Sequence, residues 1–366
     1  MRTILLNPGP VNVSDRVRNA LMGPDLCHRE SECVELCDRI RRKLLEAFVP
    51  GAESDYTAIL LTGSGTAAVE ASIMSCLPAG KRLVHVNNGV YGERISSIVG
   101  TQRLGIAEIK CDWVTPPDPE TILKSLKQQP AVHAVAMVHH ETTLGLINPV
   151  HEIAEHVDSR GCVFILDSVS GLGGETLDIA GQHMYMVAGT AGKCIQGFPG
   201  VSFVLVRKGF MENVMKYPRR SWYLSLANYY EAQERGSMPF TPAVQVYAAF
   251  DEALSELLEE GVHNRMKRYR RLATLIRERM KSLGVRAVLP ASLQSNSLTA
   301  FYTPEGLPYT ILHDRLKDRG YVIYAGQGRF ESKIFRVAHM GALQEHHIEG
   351  FLGAFEEVVR HETGGV

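Results

Sequence analysis

The chain has 366 residues, 45% hydrophobic and 22% charged, a balance that excludes a disordered or fibrous protein and a length that predicts two domains, or one large and one small. Its 39 lysines and arginines against 40 aspartates and glutamates give a net charge of -1, without the basic excess that nucleic-acid binding needs. Nothing approaches the ~18 uninterrupted apolar residues of a membrane span, and the apolar start around Ile4–Leu6 is shorter than the about 7–15 residues of a signal-peptide core. Seven scattered cysteines without a C-x-x-C pair predict reduced thiols in a cytoplasmic protein.

Short apolar runs alternate with helical stretches through the first two-thirds of the chain. Residues 56–61, 82–86, 106–111, 132–138, 162–167 and 201–206 read as strands. Most are continuously apolar, as strands covered on both faces are. The exception is 106–111, where Glu108 and Lys110 share one face and predict a place towards an edge. Helices are expected near 66–77, 90–101, 119–129 and 149–160. That order predicts an α/β fold with a mainly parallel sheet between helices.

From about Pro242 the texture changes. Helical tracts at 244–260 and 264–283 lead to strands near 297–302, 321–324 and 334–338, with helices near 308–319 and 345–360. This predicts a smaller C-terminal α/β domain over 251–366, behind a large domain over 16–250 and an N-terminal arm over 1–15. The basic run RMKRYRR at 265–271 reads as the solvated face of a helix. The tail after Arg360 is expected to be loose.

Three features of the large domain carry chemistry. Thr62-Gly63-Ser64-Gly65-Thr66 joins a strand to a helix, as an ordinary tight turn or as an anion cradle of backbone N–H groups at a helix N-terminus. Asp167 ends a buried strand, as a turn or N-cap residue or as a ligand-facing carboxylate. Lys193 lies in the glycine-rich GTAGKC, solvated in a turn or else desolvated, which would lower its pKa and make it a nucleophile. An anion cradle, a carboxylate and an amine at one sheet edge are together what pyridoxal 5'-phosphate requires for its phosphate, ring nitrogen and aldehyde.

NPGPVNVSDRV, GSGTAAVEA, NNGVYGER, HHETTLGLINPV, ILDSVSGLGG and GTAGKCIQGFPG occur in that order. In this the chain resembles the class V, fold-type I pyridoxal-phosphate aminotransferases nearly end to end. Within that class, GYVIYAG and FRVAHMG add a likeness to the subgroup that moves an amino group from 2-aminoethylphosphonate to pyruvate. The resemblance implies a large domain with a mainly parallel sheet, a smaller C-terminal α/β domain, and a homodimer with a shared active site. It implies Lys193 as the Schiff-base lysine and general base, and Asp167 as the partner of the pyridine nitrogen. Ser64, Gly65 and Thr66 match the phosphate-binding turn, Tyr91 the ring stacked on the cofactor, and Thr142 a hydroxyl near the ring oxygen. Thr241 matches a residue reaching the neighbouring subunit's cofactor phosphate, and Arg336 the clamp on the substrate's acidic group.

Two segments depart from the subgroup. Cys27-His28-Arg29-Glu30 is closer to the alanine–glyoxylate and serine–pyruvate branch, the alternative function. There Arg29 is read as a second cation for a phosphonate or as a partner of Glu30 or Glu32. Val337-Ala338-His339 follows the clamp arginine in place of a more usual Ile-Gly-Asn. Cys194 beside the lysine raises desulfurase chemistry, against which Gly192 stands where that branch has histidine. Cys33 and Cys37, four residues apart on a helix, read as buried thiols, and the adjacent His139-His140 and His346-His347 point apart. No metal site is expected.

Overall fold

Seven strands form the central sheet of the computed structural model, which describes residues 3–182 and 184–362. In chain order the elements are α1 (Ser31–Phe48), β1 (Tyr56–Gly63), α2 (Gly65–Ser75), β2 (Arg82–Asn87), α3 (Val90–Thr101) and β3 (Ile106–Lys110). There follow α4 (Pro119–Gln128), β4 (Val132–Val138), α5 (Val150–Asp158), β5 (Val163–Asp167), β6 (Met186–Thr190) and β7 (Gly200–Arg207). Across the sheet they run β1-β7-β6-β5-β4-β2-β3. Strand β7 is antiparallel to both its neighbours and every other pair is parallel. The carboxyl ends of β1, β5 and β6 therefore share one edge.

Both faces of the sheet are covered, which explains the continuous apolar runs. Along β1, Ala58 and Leu60 join one apolar cluster with Ile40, Leu44 and Phe250, while Ile59 and Leu61 join another with Ala68, Ile73 and Ile95. That is the two-residue alternation of a strand. Strand β3 is the edge strand its charges predict, with Glu108 accepting hydrogen bonds from Asn87 (2.7 Å) and Ser96 (2.9 Å). Strand β6 continues through Gly189 and Thr190, residues read from the sequence as part of a turn. Gly189 is there for packing: a Cβ would stand 2.4 Å from Phe203 Cζ.

The chain continues through α6 (Val244–Glu260), α7 (Val262–Ser282), β8 (Leu298–Tyr302), α8 (Tyr309–Asp318), β9 (Tyr324–Ala325), β10 (Ile334–Ala338) and α9 (Glu345–Glu362). Strands β8, β10 and β9 form an antiparallel sheet. Phe301, Phe335, Phe355 and Phe351 make successive ring contacts in the core beneath it. The large core reaches Leu257 on α6, and this second core begins at Leu272 on α7. We therefore place the change of core between those two residues, past the expected boundary at 250. Leu6 is buried in the second core, and Ile4–Leu5 pairs in parallel with Tyr321–Val322. Of the tail, residues 361 and 362 are helical and 363–366 lie outside the described residues. Among the described residues no helix is long and apolar enough to cross a membrane.

The basic run on α7 corrects an expectation. Arg265 and Tyr269 are buried, so 265–271 is not simply a solvated face. Arg265 and Arg268 both pair with Glu260 at 2.8 Å. Arg265 also donates to the carbonyls of Cys194 and Ile195, and Tyr269 Oη donates to Cys194 O at 3.2 Å. Gln196 joins Tyr269 Oη (2.6 Å) to Gly341 O (2.7 Å). Side chains that sequence periodicity leaves free are here fastened to the segment following Lys193.

Glu175 ties the two cores from the other side, its Oε1 accepting from Asn296 N (2.8 Å) and Ser297 Oγ (3.2 Å). Burial pushes its carboxyl up to about 8, against the lowering effect of those bonds. The folded protein thus holds this proton more tightly than the unfolded chain. Its stabilising contribution is full below about pH 4.5 and is lost as pH rises towards about 8. Glu175→Gln, which keeps the accepting oxygen, is expected to flatten that fall and gain on the order of 2 kcal/mol at pH 8. Denaturation midpoints at pH 5 and pH 8 check it; an unchanged difference between them rejects the assignment.

Candidate active site

Strand β1 ends on the turn that leads into α2. Ser64 is its N-cap, in extended conformation (φ -72°, ψ 167°), and its side chain makes no capping hydrogen bond. Helix geometry leaves the first-turn N–H groups without intrahelical partners. Gly65 lies against the loop after β5, where a Cβ would meet Val169 Cγ1 at 2.5 Å. The glycine thereby brings a helix N-terminus to within two residues of Asp167.

Asp167 ends strand β5, and Lys193 lies just beyond the adjacent strand β6. Asp167 Oδ1 accepts from Val169 N at 3.0 Å, and Oδ2 takes no hydrogen bond among the described residues. Burial pushes the carboxyl up to about 6, opposed by the Val169 N–H and by the charges of Arg94 and Lys193. The Lys193 amine donates to the carbonyl of Pro8. Gly9, at φ +99°, lies directly against that amine, and a Cβ there would stand 2.9 Å from Nζ. Burial lowers the lysine to about 8; Cys194 and Asp167 oppose the shift, while Arg336 and Arg94 add to it. The amine opens on a cleft of ≈ 240 Å³ lined by Ser64, Gly65, Thr66, Tyr91 and Arg94.

Helix α3 presents Tyr91 to this cleft, and its own N-terminus is capped by a different segment. Glu141 Oε2 accepts from Tyr91 N (3.1 Å) and Gly92 N (3.4 Å), and Thr143 Oγ1 accepts from Val90 N (3.1 Å). Glu141 Oε1 takes the Thr143 hydroxyl at 2.6 Å. Gly89 admits the carboxylate, since a Cβ would stand 2.3 Å from Glu141 Cδ. Burial pushes the Glu141 carboxyl up to about 7, opposed first by its Thr143 bonds. Glu141 and Arg94 escaped the sequence reading although both sit in motifs it used. A carboxylate within HHETT and a cation three residues after Tyr91 were the available signals.

Arg336 is buried in β10. Its Nε donates to Ala325 O (2.9 Å), and its Nη1 to Thr142 O (3.0 Å) and Gln327 Oε1 (3.0 Å). Nη2 makes no hydrogen bond and the group makes no ion pair among the described residues. Burial lowers its pKa, an expense that a bound anion would offset. Thr142 is buried in the hairpin formed by His140–Glu141 and Leu146–Ile147, and it meets Arg336 through its carbonyl.

Of the site residues expected from the sequence, Ser64, Gly65, Thr66, Tyr91 and Lys193 line the cleft, while Asp167, Thr142 and Arg336 are buried beside it and Thr241 and Arg29 lie elsewhere on the surface. Thr241 is exposed just before α6. Arg29 is exposed on the turn before α1 and makes no ion pair with Glu30 or Glu32 among the described residues. Cys194 is buried, its thiol pushed up to about 12 by burial, which removes it as a nucleophile. Cys33 and Cys37 are buried on α1. His139 and His140 are buried and held neutral, lowered to about 3 and about 4 by burial. His339 is also buried, its Nε2 hydrogen-bonded to the carbonyls of Tyr269 and Asn296.

A mostly parallel sheet carrying a lysine and an aspartate on one edge, with a second α/β core behind it, is the architecture of the fold-type I aminotransferases it resembles. Ureidoglycine–glyoxylate aminotransferase from Bacillus subtilis shares this fold at a TM-score of 0.94, with 24% identity over 100% of this chain and 95% of that one. Aspartate aminotransferase from Thermus thermophilus gives 0.88, with 27% identity over 98% and 99%. Residues 18–330 match the family model for aminotransferase class-V. A 2-aminoethylphosphonate–pyruvate transaminase from Syntrophobacter fumaroxidans is 39% identical over 345 residues, 92% of this chain and 91% of that protein. The chain belongs to the aminotransferase class-V family.

Proposed function

We propose that this protein is a pyridoxal-phosphate-dependent transaminase that moves the amino group of 2-aminoethylphosphonate to pyruvate, releasing phosphonoacetaldehyde and alanine. The observation that carries the reading is the Lys193 amine, lowered to about 8, opening on the same cleft as the α2 N-terminus. The substrates come from the family relatives, including the S. fumaroxidans transaminase.

The donor set fits the cofactor. Lys193 offers an amine to its aldehyde, and Asp167 a carboxylate with one oxygen unengaged to its ring nitrogen. Ser64, Gly65 and Thr66 offer the helix N-terminus to its phosphate. Tyr91 is assigned to its ring face and Thr142 to its ring oxygen. Thr241 of a second copy would complete the phosphate site, which makes a homodimer the working unit. The free thiols fit a cytoplasmic location.

Bound there, pyridoxal phosphate supplies the electron sink that makes the amine-bearing carbon of the donor acidic. Lys193 Nζ, neutral above about pH 8, takes the proton from that carbon. Arg336 holds the phosphonate of the donor and then the carboxylate of pyruvate through Nη2, the nitrogen its protein bonds leave free. Asp167 keeps its charge where a protonated ring nitrogen needs it.

A coupled assay tests the reading by offering 2-aminoethylphosphonate, alanine and serine as donors against pyruvate and glyoxylate. Turnover with the phosphonate and pyruvate is expected to dominate. No turnover of the phosphonate, with alanine or serine accepted, would replace it by alanine–glyoxylate or serine–pyruvate transamination.

A further inference from the structure

A phosphate monoester carries a charge of about -1.5 to -2 near neutral pH, whereas a helix N-terminus supplies the equivalent of roughly +0.5. The Ser64–Thr66 turn contains no cation. Thr241, the residue assigned to arrive from a second copy, is neutral. About one unit of positive charge is missing from the phosphate site as the sequence motif describes it. Among the residues lining the cleft, the cations are Lys193 and Arg94, and Lys193 is committed to the aldehyde end.

Arg94 stands where the missing charge is needed. From α3 its Nη1 donates to Thr66 Oγ1 at 3.1 Å, joining it to the first turn of α2. Its guanidinium carbon lies 4.6 Å from the centroid of the Tyr91 ring, one helical turn away on the same face. No carboxylate pairs with it among the described residues, so its charge is available to a ligand. Its field already reaches the centre of the site, favouring ionised Asp167 and neutral Lys193.

We propose that Arg94 is a phosphate-binding residue, reaching from α3 to the N-terminus of α2 to supply the positive charge that the turn lacks. The inference rests on the cofactor reading above. The phosphoryl group it takes is the 5'-phosphate of the cofactor, because the Thr66 contact places the guanidinium at the phosphate turn. The phosphonate of the amine donor has the same chemistry, and the test separates the two.

Cofactor-free wild type, Arg94→Gln and Arg94→Lys are titrated with pyridoxal phosphate and with pyridoxal, which lacks the phosphate. The side chain is exposed, so the thermal midpoints of the three cofactor-free proteins should agree. Arg94→Gln is expected to raise the Kd for pyridoxal phosphate by about 10- to 100-fold and to leave that for pyridoxal unchanged. Arg94→Lys should recover part of the loss. Equal weakening of both ligands would make Arg94 a support for Tyr91 and overturn the assignment. Unchanged binding of pyridoxal phosphate with a raised KM for 2-aminoethylphosphonate would overturn it in favour of the donor's phosphonate. Wild-type protein that takes up neither ligand would reject the cofactor reading itself, and this assignment with it.

Discussion

Lys193→Ala is expected to lower turnover by about 10³-fold or more and to abolish the visible absorption band of the cofactor-loaded protein. The loss combines two roles of one nitrogen, the covalent hold on the cofactor aldehyde and the proton transfer, and the second alone is worth roughly 10²–10⁴-fold. Both depend on an amine that sheds its proton readily. Burial, reinforced by Arg336 and Arg94, is what brings Lys193 down to about 8. The backbone of the lysine loop is fastened independently, through Arg265, Tyr269 and Gln196, so alanine should leave it in place. Initial rates and a visible spectrum suffice for the check. A variant that keeps its colour, or turns over within about tenfold of wild type, would remove Lys193 from the chemistry.

Arg336→Gln should raise the KM for the phosphonate donor by about 100-fold or more, corresponding to roughly 3 kcal/mol for a charge-assisted hydrogen bond made in a buried site. Binding of the cofactor should change less, because the guanidinium bonds to the residues assigned to the cofactor only at the carbonyl of Thr142. Lysine at this position is not expected to rescue. A single ammonium cannot replace the three bonds to Ala325, Thr142 and Gln327 and also keep N–H groups turned to the anion. Steady-state kinetics with the donor varied at saturating pyruvate give the answer. A KM within threefold of wild type would leave the substrate's anion to be held elsewhere.

The legible part of the molecule was its regular part. Strands flanked on both faces by helices have to be apolar throughout, so β1, β2, β4, β5 and β7 stand out of the sequence. Charge alternation likewise put β3 at the edge. The reversal of β7 was not legible, because direction within a sheet is settled by which strands meet and not by local composition. Gly189 misled for a related reason: a glycine that makes room for Phe203 inside β6 looks, in sequence, like a glycine in a turn. Lys193, Asp167 and the Ser64–Thr66 turn could be named because each ends or follows a recognisable strand. Glu141 and Arg94 escaped because their meaning comes from segments far away in the chain, an α3 N-terminus for one and an α2 N-terminus for the other. Arg265 illustrates the converse, a residue whose expected solvation was overturned by carbonyls 70 residues distant.

Leu6 is packed among residues that the chain adds more than 260 positions later, while Pro8 and Gly9 touch the reactive amine. The opening segment therefore acts as one more tether between two bodies that Glu175, Gln196 and Arg336 also join. A protein engineer who splits this molecule into separately expressed halves at α7 would leave an empty socket in one piece and a dangling apolar peg on the other. Any rocking of the rear body would likewise pull on the carbonyl that steadies the lysine.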